Sequence, residues 1–121
     1  MVILMVLTFI VFSHNLSFFM ASLALRITEV QSLSWLKNIF MWLLSGESLP
    51  LDLFPPAIAQ VLLSLPFSCA VYFPVGYLTG RLSQDQFLQG FTHLLLSTSL
   101  MLGVSIWSWN RGLKKYTGTG A

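Results

Sequence analysis

Hydrophobic positions in this chain come in long runs, and the charged positions between them are few enough to name. Met1 to Leu25 carries no Asp, Glu, Lys or Arg, which exceeds the roughly 20 apolar residues that cross a bilayer. The run predicts a first membrane helix over residues 1–25, ended by the polar Arg26 and Glu29. Those two lie three apart, a spacing that allows them to pair on one helix face. A second helix is expected over 30–45. It is short for a span and carries Lys37 in its middle, so either the helix begins earlier or that side chain reaches the interface or faces a protein cavity. Ser45-Gly46 supplies its stop. The last clear run, residues 87–109, predicts a further span, followed by a tail over 110–121.

Between Leu49 and Gly80 the pattern is apolar but broken. Pro50, Pro55, Pro56, Pro66 and Pro74 fall here, with Gly76 and Gly80 near its end. Proline removes a backbone donor and clashes with the preceding turn. In hydrocarbon, the freed backbone groups survive only where protein or a water-filled cavity covers them. Residues 55–80 therefore read either as one kinked span or as a re-entrant hairpin that dips in and returns.

Charge chooses between these. Arg111, Lys114 and Lys115 follow the last span with no acid beside them, which places the carboxy terminus in the cytoplasm by the positive-inside rule. With a hairpin at 55–80, Glu47, Asp52 and Asp85 lie outside, while Arg26 and Lys37 lie toward the cytoplasm. A full span would move Arg26 outside, so the hairpin is preferred. The expected fold is thus an all-α integral membrane domain of three transmembrane helices plus one proline-broken hairpin, covering 1–121.

Composition agrees and removes other classes. Hydrophobic residues make up 55% of the chain, charged residues 8%, and mean hydropathy is +0.78; soluble domains carry about 25% charge. The net charge of +2 comes with no basic cluster sized for nucleic acid. Cys69 is the single cysteine, which excludes an internal disulfide and a cysteine-based metal site. No phosphate-binding glycine loop is present, so ATP hydrolysis falls to another protein. No cofactor is implied.

Candidate chemistry is sparse. His14, beside Asn15 in the first run, is an intramembrane ionisable group of the kind used in relays, yet no acid is near it in sequence to complete one, and a structural hydrogen bond to a neighbouring helix is the plainer reading. Glu47 and Asp52 are candidates for attracting cationic substrates, against the plainer reading of a solvated loop. Ser64, Ser68 and Cys69 have no histidine–aspartate set nearby to make a nucleophile. Pro66, Pro74, Gly76 and Gly80 are the candidate gating positions of the hairpin. Ser13, Ser17 and Ala21, at four-residue spacing, and the pair Ser99 and Gly103 are small-residue surfaces suited to close helix packing.

The ordered set Leu44-Ser45-Gly46-Glu47-Ser48-Leu49-Pro50-Leu51-Asp52-Leu53-Phe54-Pro55, Leu65-Pro66-Phe67, Tyr72-Phe73-Pro74, Gly80 and Trp109…Arg111-Gly112-Leu113-Lys114-Lys115-Tyr116 resembles the carboxy-terminal half of bacterial ABC-2 type permeases, over about residues 34–121. The most similar group is the ABC-2 family transporter proteins, which includes viologen and multidrug exporter permeases. This resemblance implies a six-helix inner-membrane permease that pairs with a second permease copy. It also implies two cytoplasmic ATPase subunits and a re-entrant hairpin between the fifth and sixth helices. The chain would then hold helices four to six, as a fragment or half of an exporter permease. A structural membrane subunit without transport activity is the alternative that the sequence leaves open.

Overall fold

The computed structural model describes residues 1–27 and 29–116, without the side chain of Val30. Every regular element among these residues is helical. Helix α1 runs Val2–Ala24, α2 Val30–Leu44, α3 Pro56–Ser64, α4 Tyr72–Leu78 and α5 Gln84–Lys115, with 3-10 turns at Leu51–Leu53 and Pro66–Cys69. Two helices, α1 and α5, are long and apolar enough to cross a membrane. At 15 residues α2 is about 22 Å long, below the roughly 30 Å of hydrocarbon.

Helix α5 is longer at both ends than the expected 87–109 span. Its start is fixed by a reciprocal cap that periodicity alone does not reveal: the Gln86 N–H donates to Ser83 Oγ at 3.3 Å, and the Ser83 N–H donates to Gln86 Oε1 at 2.9 Å. Asp85 in the first turn and Lys114 and Lys115 in the last suit the helix dipole. Residues 110–115 are therefore helix, while the expected tail beyond Tyr116 lies outside the described residues.

Helices α1 and α5 pack side by side and point the same way. The Ser105 hydroxyl donates to the Asn15 carbonyl at 3.0 Å, the Ser22 and Ser108 hydroxyls meet at 2.7 Å, and Gly112 abuts Leu25. Phe18 and Trp109 stack beside this seam at 5.2 Å. Small residues let the two backbones approach, and their hydroxyls are satisfied within the pair. Arg26 belongs to this seam and not to a pair with Glu29: it lies in the turn after α1, and its guanidinium donates to the Ser108 carbonyl at 3.3 Å.

The segment between α2 and α5 folds against the other end of the α1–α5 pair. Met5, Phe12, Cys69, Phe73, Phe87 and Leu94 form one buried cluster. Phe67 meets Phe12 edge-on at 5.9 Å, and Tyr77 packs on Phe87 at 4.6 Å. Much apolar surface stays uncovered, from Ile3 and Leu7 on α1 through Trp35 and Trp42 on α2 to Leu96 and Leu100 on α5. A soluble monomer does not carry so much exposed apolar area, whereas a bilayer covers it.

Candidate functional site

The broken segment, the expected hairpin, consists of two short helices, α3 and α4, joined by the 3-10 turn Pro66–Cys69, and local chemistry explains each bend. Helix α3 opens at Pro56, in the first turn, where a missing donor costs nothing. It stops because Pro66 pushes Leu65 into extended backbone, with φ −79° and ψ 146°. The break frees carbonyl groups, and Ser68 answers them: its hydroxyl donates to the Leu65 carbonyl at 2.8 Å and lies 3.4 Å from that of Leu63. The Cys69 thiol, fully buried, points at the Gly90 carbonyl at 3.5 Å. The Tyr72 N–H donates to the Ser45 carbonyl at 3.2 Å, which ties the returning limb to the end of α2.

Pro74 behaves differently from Pro66. It occupies the third position of α4, still in the first turn, so it needs no donor and leaves the helix intact. Gly76 is buried where the chain doubles back; the N–H groups of Arg81 and Leu82 both donate to its carbonyl, at 2.9 and 3.0 Å. Gly80 adopts φ +72°, a left-handed conformation that other residues rarely take.

The two ends of the hairpin meet. Asp52, before it, pairs with Arg81, after it, at 3.3 Å, and the Tyr72 hydroxyl donates to the same carboxylate at 2.8 Å. This is the only ion pair found among the described residues. Both partners are 54% exposed, so the pair contributes less than about 1 kcal/mol. Its meaning is geometric: residues 52 and 81 sit together, not a bilayer apart.

Two hollows flank the hairpin. Between α3, α4 and α5 lies a cleft of about 520 Å³, with Gln60 and Ser64 on one wall and Gln86, Gln89 and His93 on the other. A second hollow, of about 300 Å³, opens between α1, α2 and the hairpin. Ser13, Lys37 and Glu47 line it.

The remaining candidates fall outside these contacts or at their margins. His14 is exposed, on a shallow hollow shared with Phe9 and Ile10. Ser13 and Ser17 are half-buried, and Ala21 is exposed; the Ser17 hydroxyl accepts from Lys37 Nζ at 2.8 Å and so serves the contact with α2. Ser99 is exposed and donates to the Leu95 carbonyl at 2.9 Å. A side chain at Gly103 would meet open space.

The close helix approaches instead use residues that the spacing argument passed over. A Cβ at Gly90 would lie 2.6 Å from the Phe73 ring, and one at Gly112 would lie 2.9 Å from Leu25 Cδ1. Ser22, Ser105 and Ser108 are buried between α1 and α5. All are small residues visible in the sequence, but which helix each one faces is set by tertiary packing.

A family model described as ABC-2 family transporter protein matches residues 1–120. The chain belongs to this family. ABC-2 permeases are membrane transport components and are not themselves catalytic, in keeping with an all-helical chain that exposes two long apolar helices. No curated protein and no solved structure matches the chain. Among the described residues, no group of His, Cys, Asp and Glu is arranged to hold a metal ion.

Proposed function

We propose that this ABC-2 chain supplies the last three spans and the re-entrant hairpin of an exporter permease in the bacterial inner membrane. In this reading α1 enters from outside, α2 returns, residues 55–80 dip and come back, and α5 crosses to the cytoplasm. The single observation that supports this most is the parallel packing of α1 and α5. Two helices run parallel in a membrane only if the chain between them makes an odd number of crossings. With α2 as that crossing, 55–80 cannot be another, and the meeting of Asp52 with Arg81 accords with this. Arg26, Arg111, Lys114 and Lys115 then share the cytoplasmic end. Lys37 crosses with α2 while hydrogen-bonded to Ser17, so its charged end is turned toward protein and not toward lipid.

The permease is proposed to act as one of two copies around a path, driven by ATP hydrolysed on separate cytoplasmic subunits. The hairpin is the part that changes contacts between states, because Pro66 divides it into short pieces and Gly80 turns it into α5, and those pieces are held mainly to α1 and α5, with one backbone tie to α2. Driving force from elsewhere alters transport only through contacts that differ between states. Purification from bacterial membranes in mild detergent tests the assignment. A co-purifying ATPase subunit is the expected outcome; recovery of the chain alone or with non-ATPase membrane subunits would favour a structural role.

A further inference from the structure

We propose that the cleft between α3, α4 and α5 is a binding site for an uncharged, hydroxyl-rich ligand. The inference rests on the permease reading only for its meaning, since it names the chemistry of a molecule met on the outer side; binding itself does not depend on transport.

The first observation is convergence. Gln60 on α3 and Gln89 and His93 on α5 belong to elements far apart in sequence, yet all face one cavity of about 520 Å³, within the size range of small-molecule sites. Among the described residues none of these three side chains takes part in a hydrogen bond; Thr92 meets Gln89 only at its backbone carbonyl. Gln86 spends its Oε1 on the cap of α5, which leaves its amide N–H groups. Ser64 donates to the Val61 carbonyl at 2.7 Å, which leaves its oxygen as an acceptor.

The second observation is the absence of charge from the lining. No Asp, Glu, Lys or Arg lines the cleft, although Asp52 and Arg81 are close by. Those two are bound to each other, and Tyr72 stands between Asp52 and the cavity with its hydroxyl on the carboxylate. The polar walls are themselves largely exposed, and a charged ligand meets no opposite charge among them. A hydroxyl group both donates and accepts, and so matches a wall of amides that offer both.

The third observation is one apolar side. Phe73 and Tyr72 on α4, with Leu63 and Leu82, give the cleft its apolar lining, and Gly90 lets the Phe73 ring seat against α5. A ligand with one polar edge and one ring or C–H face fits this division.

Three probes that share a phenyl ring separate the possibilities: phenyl β-glucoside, phenyl phosphate and phenyltrimethylammonium. Binding to the chain in lipid nanodiscs is read by saturation-transfer NMR, with empty discs as the blank. The glucoside should bind and the two charged probes should not. Replacing Gln89→Leu with His93→Leu should weaken glucoside binding by about tenfold or more, because the hydroxyls lose their partners. Ser99→Leu, away from the cleft, should leave it unchanged. Maleimide reactivity of buried Cys69 reports whether the double variant keeps its hairpin; if it does not, the three probes on the unaltered chain decide alone. The proposal is overturned if no probe binds, if a charged probe binds as well as the glucoside, or if an intact double variant binds as before. Loss of the ATPase on purification would refute the permease reading and leave this result standing, and the reverse also holds.

Discussion

At the scale of single residues, two glycines on α5 show what sequence can and cannot reveal. Gly103, four residues after Ser99, fits a packing pattern, while Gly90 fits none. In the fold Gly103 faces open space and Gly90 carries the Phe73 ring. Spacing identifies small residues on one helix; it does not say which neighbour that face meets, because the neighbour comes from a distant part of the chain. The difference is measurable. Gly90→Ala places a methyl group inside the distance that the Phe73 ring occupies, and such overpacking costs about 1–3 kcal/mol. Gly103→Ala meets nothing in the chain and gains the ordinary helix preference of alanine, about 0.5 kcal/mol or more. Unfolding in dodecyl sulfate, followed by circular dichroism, should therefore move in opposite directions for the two variants. Equal shifts would mean that Phe73 does not seat on Gly90.

At the scale of elements, the breaks between α2 and α5 are the most readable feature of the chain, since proline acts through local covalent geometry. What could not be read was the inequality between prolines. Pro66 follows a helix and ends it, forcing Leu65 to extend. Pro74 falls in the opening turn of α4, where proline is tolerated. Whether a proline breaks or begins a helix depends on boundaries that the neighbouring residues set only together. The single cysteine makes the difference testable, because Cys69 lies one turn after Pro66 and is buried against α5. Pro66→Ala lets α3 run on and loosens this seat. If local opening becomes easier by about 1.4 kcal/mol, labelling of Cys69 by N-ethylmaleimide in membranes rises about tenfold. Pro74→Ala should leave labelling near the native rate. Equal rates for both variants would show that Pro66 does not hold the turn in place.

At the scale of the whole molecule, the charges bear on orientation but not on which helices touch. The pairing of α1 with α5 depends on Ser22, Ser105, Ser108 and Gly112, and nothing local marks these as partners across more than 80 residues. That pairing is also what separates the two readings of residues 55–80. If the segment dips and returns, residues 22 and 108 share the cytoplasmic end; if it crosses, they lie on opposite sides, about 30 Å apart. A disulfide requires Cα atoms within about 7 Å. Ser22 and Ser108 already touch through their hydroxyls at 2.7 Å, so cysteines at both positions are well placed. The experiment uses Ser22→Cys with Ser108→Cys in a Cys69→Ser background, a protease site in the loop before Asp52, and mild oxidation of intact membranes. After cleavage, the two halves should migrate together without reductant and apart with it. A link between two copies would show instead as a larger band. Halves that separate under oxidising conditions would mean that α1 and α5 are not parallel neighbours in the membrane, and the re-entrant hairpin would fall with that packing.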